Sequence, residues 1–226
     1  MLNRYREELG VAALPQELNR VSDETIGFLQ SKTARIGIDR ISASGGRLLA
    51  EVSIENLSGH KFPTAYPSRR AWLHVTVRDH DCKILFESGA LKPDGSGAIQ
   101  GNDNDADPAR FEPHYSEIDR PEQVEIYEPI LKGRDGRVTT GLLTAVGYLK
   151  DNRLLPRGFE KKTADRDIAV YGAAAQDEDF RDGGDHVRYS VALAGAQGPF
   201  AVEVELWYQP IGYRWANNLK SYDTAE

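Results

Sequence analysis

The sequence predicts a mainly β protein: an antiparallel β-sandwich, immunoglobulin-like or jelly-roll-like, with a short N-terminal helical lead-in. Three observations carry that expectation. The apolar period is helical at the start of the chain and changes to two from Ala34. About eight short strand candidates follow, several of them separated by Gly, Pro, Asn or Asp turns. No internal repeat and no low-complexity linker divides them.

In chain order, Leu2, Tyr5 and Leu9 fall near helical spacing before Gly10, and DETIGFLQSKTA places Ile26 and Leu29 on one face. ARIGIDRI and RLLAEVSIEN read as a hairpin turning at Ser44-Gly45-Gly46. AWLHVTVRD, KILFES, QVEIYEPIL, DIAVYGAA, HVRYSVAL and PFAVEVELWYQPI supply the further strand candidates. Leu142, Leu143, Val146 and Leu149 predict a short helix ending before Pro156. The stretch from Leu91 to Arg120, rich in Gly, Asp, Asn and Pro, is too long for a hairpin connection. The expected division is a helical lead-in over 1–33 and a β-sandwich domain over 34–226 that carries the long loop 91–120.

With 226 residues, 40% hydrophobic and 28% charged, the chain can bury a core. No apolar run approaches the roughly 20 residues of a membrane span. A net charge of −7, with no basic stripe, disfavours nucleic acid. Cys82 is the single cysteine, which excludes an internal disulfide, a thiolate zinc cluster and a CxxCH haem attachment. It sits in RDHDCKILFESG at an expected turn, where a small turn residue is a better reading than a nucleophile. The opening MLNRYREELGVAALPQEL is charged and mixed and does not read as a secretory signal.

Two stretches concentrate chemistry. In GHKFPTAYPSRRAW, Pro63 and Pro67 stiffen a loop that holds His60 in a defined direction, as a ligand or catalytic imidazole requires. The competing reading is that His60 bonds a neighbouring carbonyl while Arg69 and Arg70 neutralise carboxylates. In the strand that follows, His74 alternates with Leu73 and Val75 and faces away from the aliphatic row. None of the five histidines forms an i, i+4 pair, so imidazole alone gives no evident metal motif. In GNDNDADPARFEPHY, Asp103, Asp105 and Asp107 gather hard oxygens at a spacing calcium accepts. Pro108 and His114 occupy the places where an EF-hand needs Gly and Glu, so the competing reading is an ion-free Asx-rich turn. Glu112 and His114 form a small polar site with His60 if the two loops meet. GxSxG, Walker A, GxGxxG and HExxH motifs are absent. At the C-terminal end Trp207, Tyr208, Tyr213 and Trp215 cluster around Pro210 and Gly212, as core or as a partner surface.

NLSGHKFPTAYPSRRAWLHV, LFESG, EPHYSEI, VEIYEPIL, TTGLLTAVGYLKDNRLLPRGF, FRDGGDHVRYSV and VELWYQPIGYRWANNL together resemble the carboxyl-terminal, haem-free region of multihaem c-type cytochromes related to cytochrome c-554. The likeness runs over nearly the whole chain, and GHKFPT and LLPRGF are its most specific parts. It implies export to the periplasm as part of a longer precursor, haem c in a parent protein, and residues 1–33 as the end of an upstream haem domain. It also implies upstream haem domains or a redox partner protein as partners, met through His60, Arg69, Arg70, Tyr213 and Trp215. The expectation is a non-catalytic interaction or support module in electron transfer. The alternatives are a metal-binding domain, with calcium at Asp103, Asp105 and Asp107 or a transition metal at His60 and His114, and an enzyme pairing His60 with Glu112 or another carboxylate.

Overall fold

The computed structural model describes residues 2–64, 66–101, 107 and 109–220. Helix α1 (Pro15–Phe28) begins with Pro at its first turn, and Glu17 reaches back to the Leu14 amide at 2.7 Å, closing an orphan donor. A π-helical turn (Leu29–Thr33) leads into β1 (Ala34–Ser44). The first segment, residues 2–10, makes turns rather than the helix its spacing predicts; Leu2 and Leu9 are exposed, and no packed face holds a helix there.

The fold is mainly β and antiparallel. β1 turns at Gly45 and Gly46, both at positive φ, into β2 (Arg47–Asn56). β2 pairs β10 (Gly184–Ala192), and β10 pairs the two-residue β5 (Glu117–Ile118) in parallel. The second sheet sets β3 (Arg70–Arg78) between β11 (Ala201–Gln209) and β4 (Ile84–Ser88), with β6 (Ile126–Tyr127) also on β3. A third sheet joins β7 (Pro129–Gly133) to β8 (Val138–Thr139) and β9 (Ala145–Asp151). A short helix, α2 (Tyr213–Leu219), follows β11.

Alternation makes the sandwich. Leu48, Ala50, Val52 and Ile54 of β2 and Val187, Tyr189 and Val191 of β10 point inward, onto Leu73, Val75 and Val77 of β3 and Phe86 of β4. β3 is buried on both faces. Its outer face carries Trp72, packed with Ile99, Val124, Ile126 and Trp207, because the segment after β4 folds back over it. That segment is pinned by a Leu91–Ile99 bridge and by Lys92 and Gln100 amides bonding Ala98 and Ala90 carbonyls at 2.8 and 2.6 Å. Lengthening a loop threefold adds only about 1 kcal/mol of closure cost. Burying four such side chains returns about 1.5–3 kcal/mol each, so the connection gains by covering β3. Gly89 makes the reversal possible: its φ is +85° and a Cβ there would stand 2.3 Å from the Leu73 carbonyl oxygen.

Three further elements differ from their sequence expectation. Residues 142–149 are a turn followed by β9, because the Thr144 and Ala145 amides close on the Gly141 carbonyl at 3.0 and 2.9 Å and the rest pairs β7. DIAVYGAA forms one bridge, Tyr171 with Asp151, and then a 3-10 turn (Ala173–Ala175) after Gly172 at φ +79°. QVEIYEPIL is divided into β6 and β7, which join different sheets on either side of Glu128.

Candidate functional site

A polar cluster lies inside the molecule where β10 begins. The inward row of β10 that carries Val187 and Tyr189 also carries Asp185, at 0% exposure. Tyr127 of β6 donates to Asp185 Oδ2 at 2.8 Å, and the His186 amide donates to Oδ1 at 2.8 Å. Glu125, which precedes β6 and is equally buried, accepts from His114 Nδ1 at 2.7 Å, from Asn152 Nδ2 at 2.8 Å and from the Tyr115 amide at 2.6 Å. His114 Nε2 faces Asp177 Oδ2 at 3.3 Å, and the edge of the Phe180 ring closes over the imidazole at 5.0 Å. Ser116 also donates to Asp177.

Both imidazole nitrogens of His114 thus meet carboxylates, which accept and do not donate, so the ring carries both protons. Burial opposes that charge, but Glu125 and Asp177 outweigh it and push the group up to about 10. The His114 hydrogen bond in turn holds Asp177 far below the ordinary carboxylate range. Burial pushes Asp185 up. Glu112 is pushed up to about 7 by burial, against a hydrogen bond from Tyr115 Oη at 2.7 Å. Glu112 Oε1 and Tyr189 Oη are buried without a hydrogen-bond partner among the described residues.

The raised Glu112 makes a pH prediction with a definite sign. A carboxyl whose folded value is raised contributes stability below its unfolded value of 4.5, and that contribution is lost as pH rises through about 7. Glu112→Gln removes the titration. The melting temperature of the variant minus that of the parent is therefore expected to rise between pH 5 and 8, by about 2–4 °C for each kcal/mol of ionisation cost. A gap that stays flat over that range contradicts the reading.

His60 is exposed, at the tip of a braced loop. Its carbonyl accepts from buried Asn56 at 2.8 Å, its Nδ1 stands 3.1 Å from the Lys61 carbonyl, and its Nε2 makes no hydrogen bond among the described residues. The ring partners of His60 and His114 are not shared: Ser58 and Lys61 for one, Glu125, Asp177 and Asn152 for the other. Asp103 and Asp105 lie outside the described residues. Asp107 is exposed and its carboxylate accepts from the Ala109 amide at 2.9 Å. Arg69 is half-buried and donates to the Thr64 carbonyl at 3.2 Å. Arg70 is buried against Trp72 and donates to Gln209 at 2.9 Å. Tyr213 and Trp215 are half-buried on α2, and Trp215 meets Tyr66 edge-on at 5.9 Å. His74 lies on the Trp72 side of β3, between Glu205 at 2.9 Å and Glu87 at 3.0 Å.

Sequence reasoning reached Glu112 and His114 but not Glu125, Asp177 or Asp185. One signal was available: in GDHVRYSVA the period of two puts Asp185 on the apolar side with Val187, Tyr189 and Val191. Glu125 and Asp177 carry no such mark.

Two apolar surface hollows accompany the cluster. One, of about 460 Å³, is lined by Tyr66, Leu142, Leu143, Ile211, Trp215 and Leu219, with Leu143 98% exposed. The other, of about 680 Å³, lies between α1 and the second sheet, with Ile26, Leu29, Trp72, Leu206 and Trp207 in its walls. α1 buries none of its residues, and Val21, Ile26 and Phe28 are each at least half exposed.

No protein-family model and no curated protein matches the chain. Among solved structures it is similar to a penta-heme cytochrome c552 from Thermochromatium tepidum, with 17% identity and a TM-score of 0.48 over 88% of this chain. The chain spans 37% of the length of that cytochrome chain.

Proposed function

We propose that this chain is a non-catalytic interaction module that docks onto the haem-bearing part of an exported multihaem electron-transfer cytochrome. The observation that carries the reading is the hollow around Leu143 and Trp215. A Leu side chain 98% exposed beside Ile211, Leu219 and Tyr66 is an apolar patch that a partner can cover. Its walls come from three of the segments whose wording resembles the haem-free region of such cytochromes: Tyr66 from the GHKFPT loop, Leu142 and Leu143 from TTGLLTAVGYLK, and Ile211, Trp215 and Leu219 from the C-terminal stretch. Haem, export and the periplasm enter through that resemblance.

His60 belongs to the same proposal. A stiff loop presents its imidazole with Nδ1 against a backbone carbonyl and Nε2 open, which is the arrangement an imidazole needs to meet a haem edge or iron on a docked domain. The exposed apolar residues of α1 offer a further contact area.

Leu143→Asp tests the surface. Because the side chain lies in solvent, folding stability is expected to change by no more than about 0.5 kcal/mol. Affinity for the haem-bearing polypeptide or segment recovered with the native protein is expected to fall by about tenfold or more, read by titration calorimetry. Unchanged affinity removes this surface from the interface.

A further inference from the structure

We propose that His114, Glu125 and Asp185 form a structural site for one divalent transition cation of the zinc or ferrous class, held by an imidazole nitrogen and two carboxylate oxygens. The site stands independently of the docking reading. The three residues are buried, and one potential ligand atom from each lies within 4.8 Å of the others. Donors around a tetrahedral ion at about 2.1 Å sit about 3.4 Å apart. The His114 to Glu125 contact of 2.7 Å therefore opens slightly on binding, and the 4.8 Å bound on the remaining pairs leaves the set close to that spacing.

The surroundings match those of a metal centre. Asp177 holds His114 Nε2, which leaves Nδ1 to face the ion, and a carboxylate behind a ligating imidazole fixes its tautomer and raises its basicity. Asn152 and the Tyr115 amide orient Glu125, while Tyr127 and the His186 amide orient Asp185. Two orphaned polar atoms sit around the same group. Tyr189 Oη is fully buried on the inward row of the strand that carries Asp185, and Glu112 Oε1 belongs to the carboxylate bonded by Tyr115, whose amide bonds Glu125. Buried polar atoms are seldom left unpaired, and water carried by an ion supplies the missing partner. Charge agrees as well: the ion displaces the Nδ1 proton of His114 to solvent, and a divalent ion with the neutral imidazole so formed and two carboxylates is a neutral set, which a dry interior tolerates. Calcium is a poor fit, since it asks for six to eight oxygens and accepts no imidazole in their place.

The test uses the full chain, purified without a histidine tag, unfolded in chelator and refolded with or without one equivalent of Zn²⁺. The expected result is one zinc retained per chain and a rise in melting temperature of about 5 °C or more. Co²⁺ is expected to give visible d–d bands of a tetrahedral N/O site, and Ca²⁺ to do nothing. Asp185→Asn and His114→Gln, each confirmed as folded by circular dichroism, are expected to lose the stoichiometric zinc and the shift. If the parent retains no Zn²⁺ and neither Zn²⁺, Fe²⁺ nor Mn²⁺ moves its melting temperature, the site does not exist. Binding that survives both substitutions also overturns it, and points to the half-buried His74 between Glu87 and Glu205 instead.

Discussion

Replacing His114 with alanine is expected to destabilise the chain by about 3–5 kcal/mol at pH 7, measured by urea unfolding in chelator so that no metal contributes. The magnitude comes from what is left behind. Glu125 is 0% exposed and the Asp177 side chain 6% exposed, so removing the imidazolium strands two buried carboxylates without their countercharge. The intact ion pair is itself a modest stabiliser, because burying its charges costs nearly what their attraction returns. Breaking it is the large effect. His114→Gln, which restores one donor but no charge, is expected to fall between parent and alanine variant. A loss under about 1 kcal/mol for His114→Ala would mean that water reaches the cluster and screens it.

Phe180→Ala is the second large effect, again about 3–5 kcal/mol. Phe180 is fully buried in the main core, with its ring against His114 and the Lys161 ammonium 5.9 Å from its face. The substitution removes both the apolar wall of the polar cluster and a large share of core packing. A cavity beside polar groups is roomy and polar enough to take water, which the same cavity in a purely aliphatic core would not. The expected readout in guanidinium unfolding is a lower midpoint with an unchanged slope. A milder loss, near that of an exposed aromatic, contradicts the packing described for this wall.

How far the chain can be read from sequence depends on which force sets each element. The β1–β2 hairpin is legible because its turn glycines and its alternation agree: Gly45 and Gly46 take the positive φ that the turn demands, and the β2 residues Leu48 to Ile54 alternate into the core. Residues 142–149 mislead because Leu142, Leu143 and Val146 imitate a helical face while being at least 45% exposed. Their apolar character belongs to the surface, and sequence periodicity assigns it to a core. DIAVYGAA fails differently, since a short apolar run cannot show whether a neighbouring strand has a free edge to pair it. The polar cluster is the least legible part. His114 and Glu125 are eleven residues apart, and Asp177 and Asp185 arrive from more than sixty residues beyond His114. Nothing in a sequence distinguishes a carboxylate that will be buried from one that will be solvated, unless a strand period fixes its face as it does for Asp185.

The docking role is tested most directly by the haem content of the native polypeptide that carries this sequence, captured from its source cells with an antibody to the folded domain. The predicted result is covalent haem c, read as a pyridine haemochrome, either on the same polypeptide or on one held to it with the Leu143 surface covered. A haem-free protein, with the Leu143 and Trp215 hollow open to solvent and no haem-bearing partner, would contradict it.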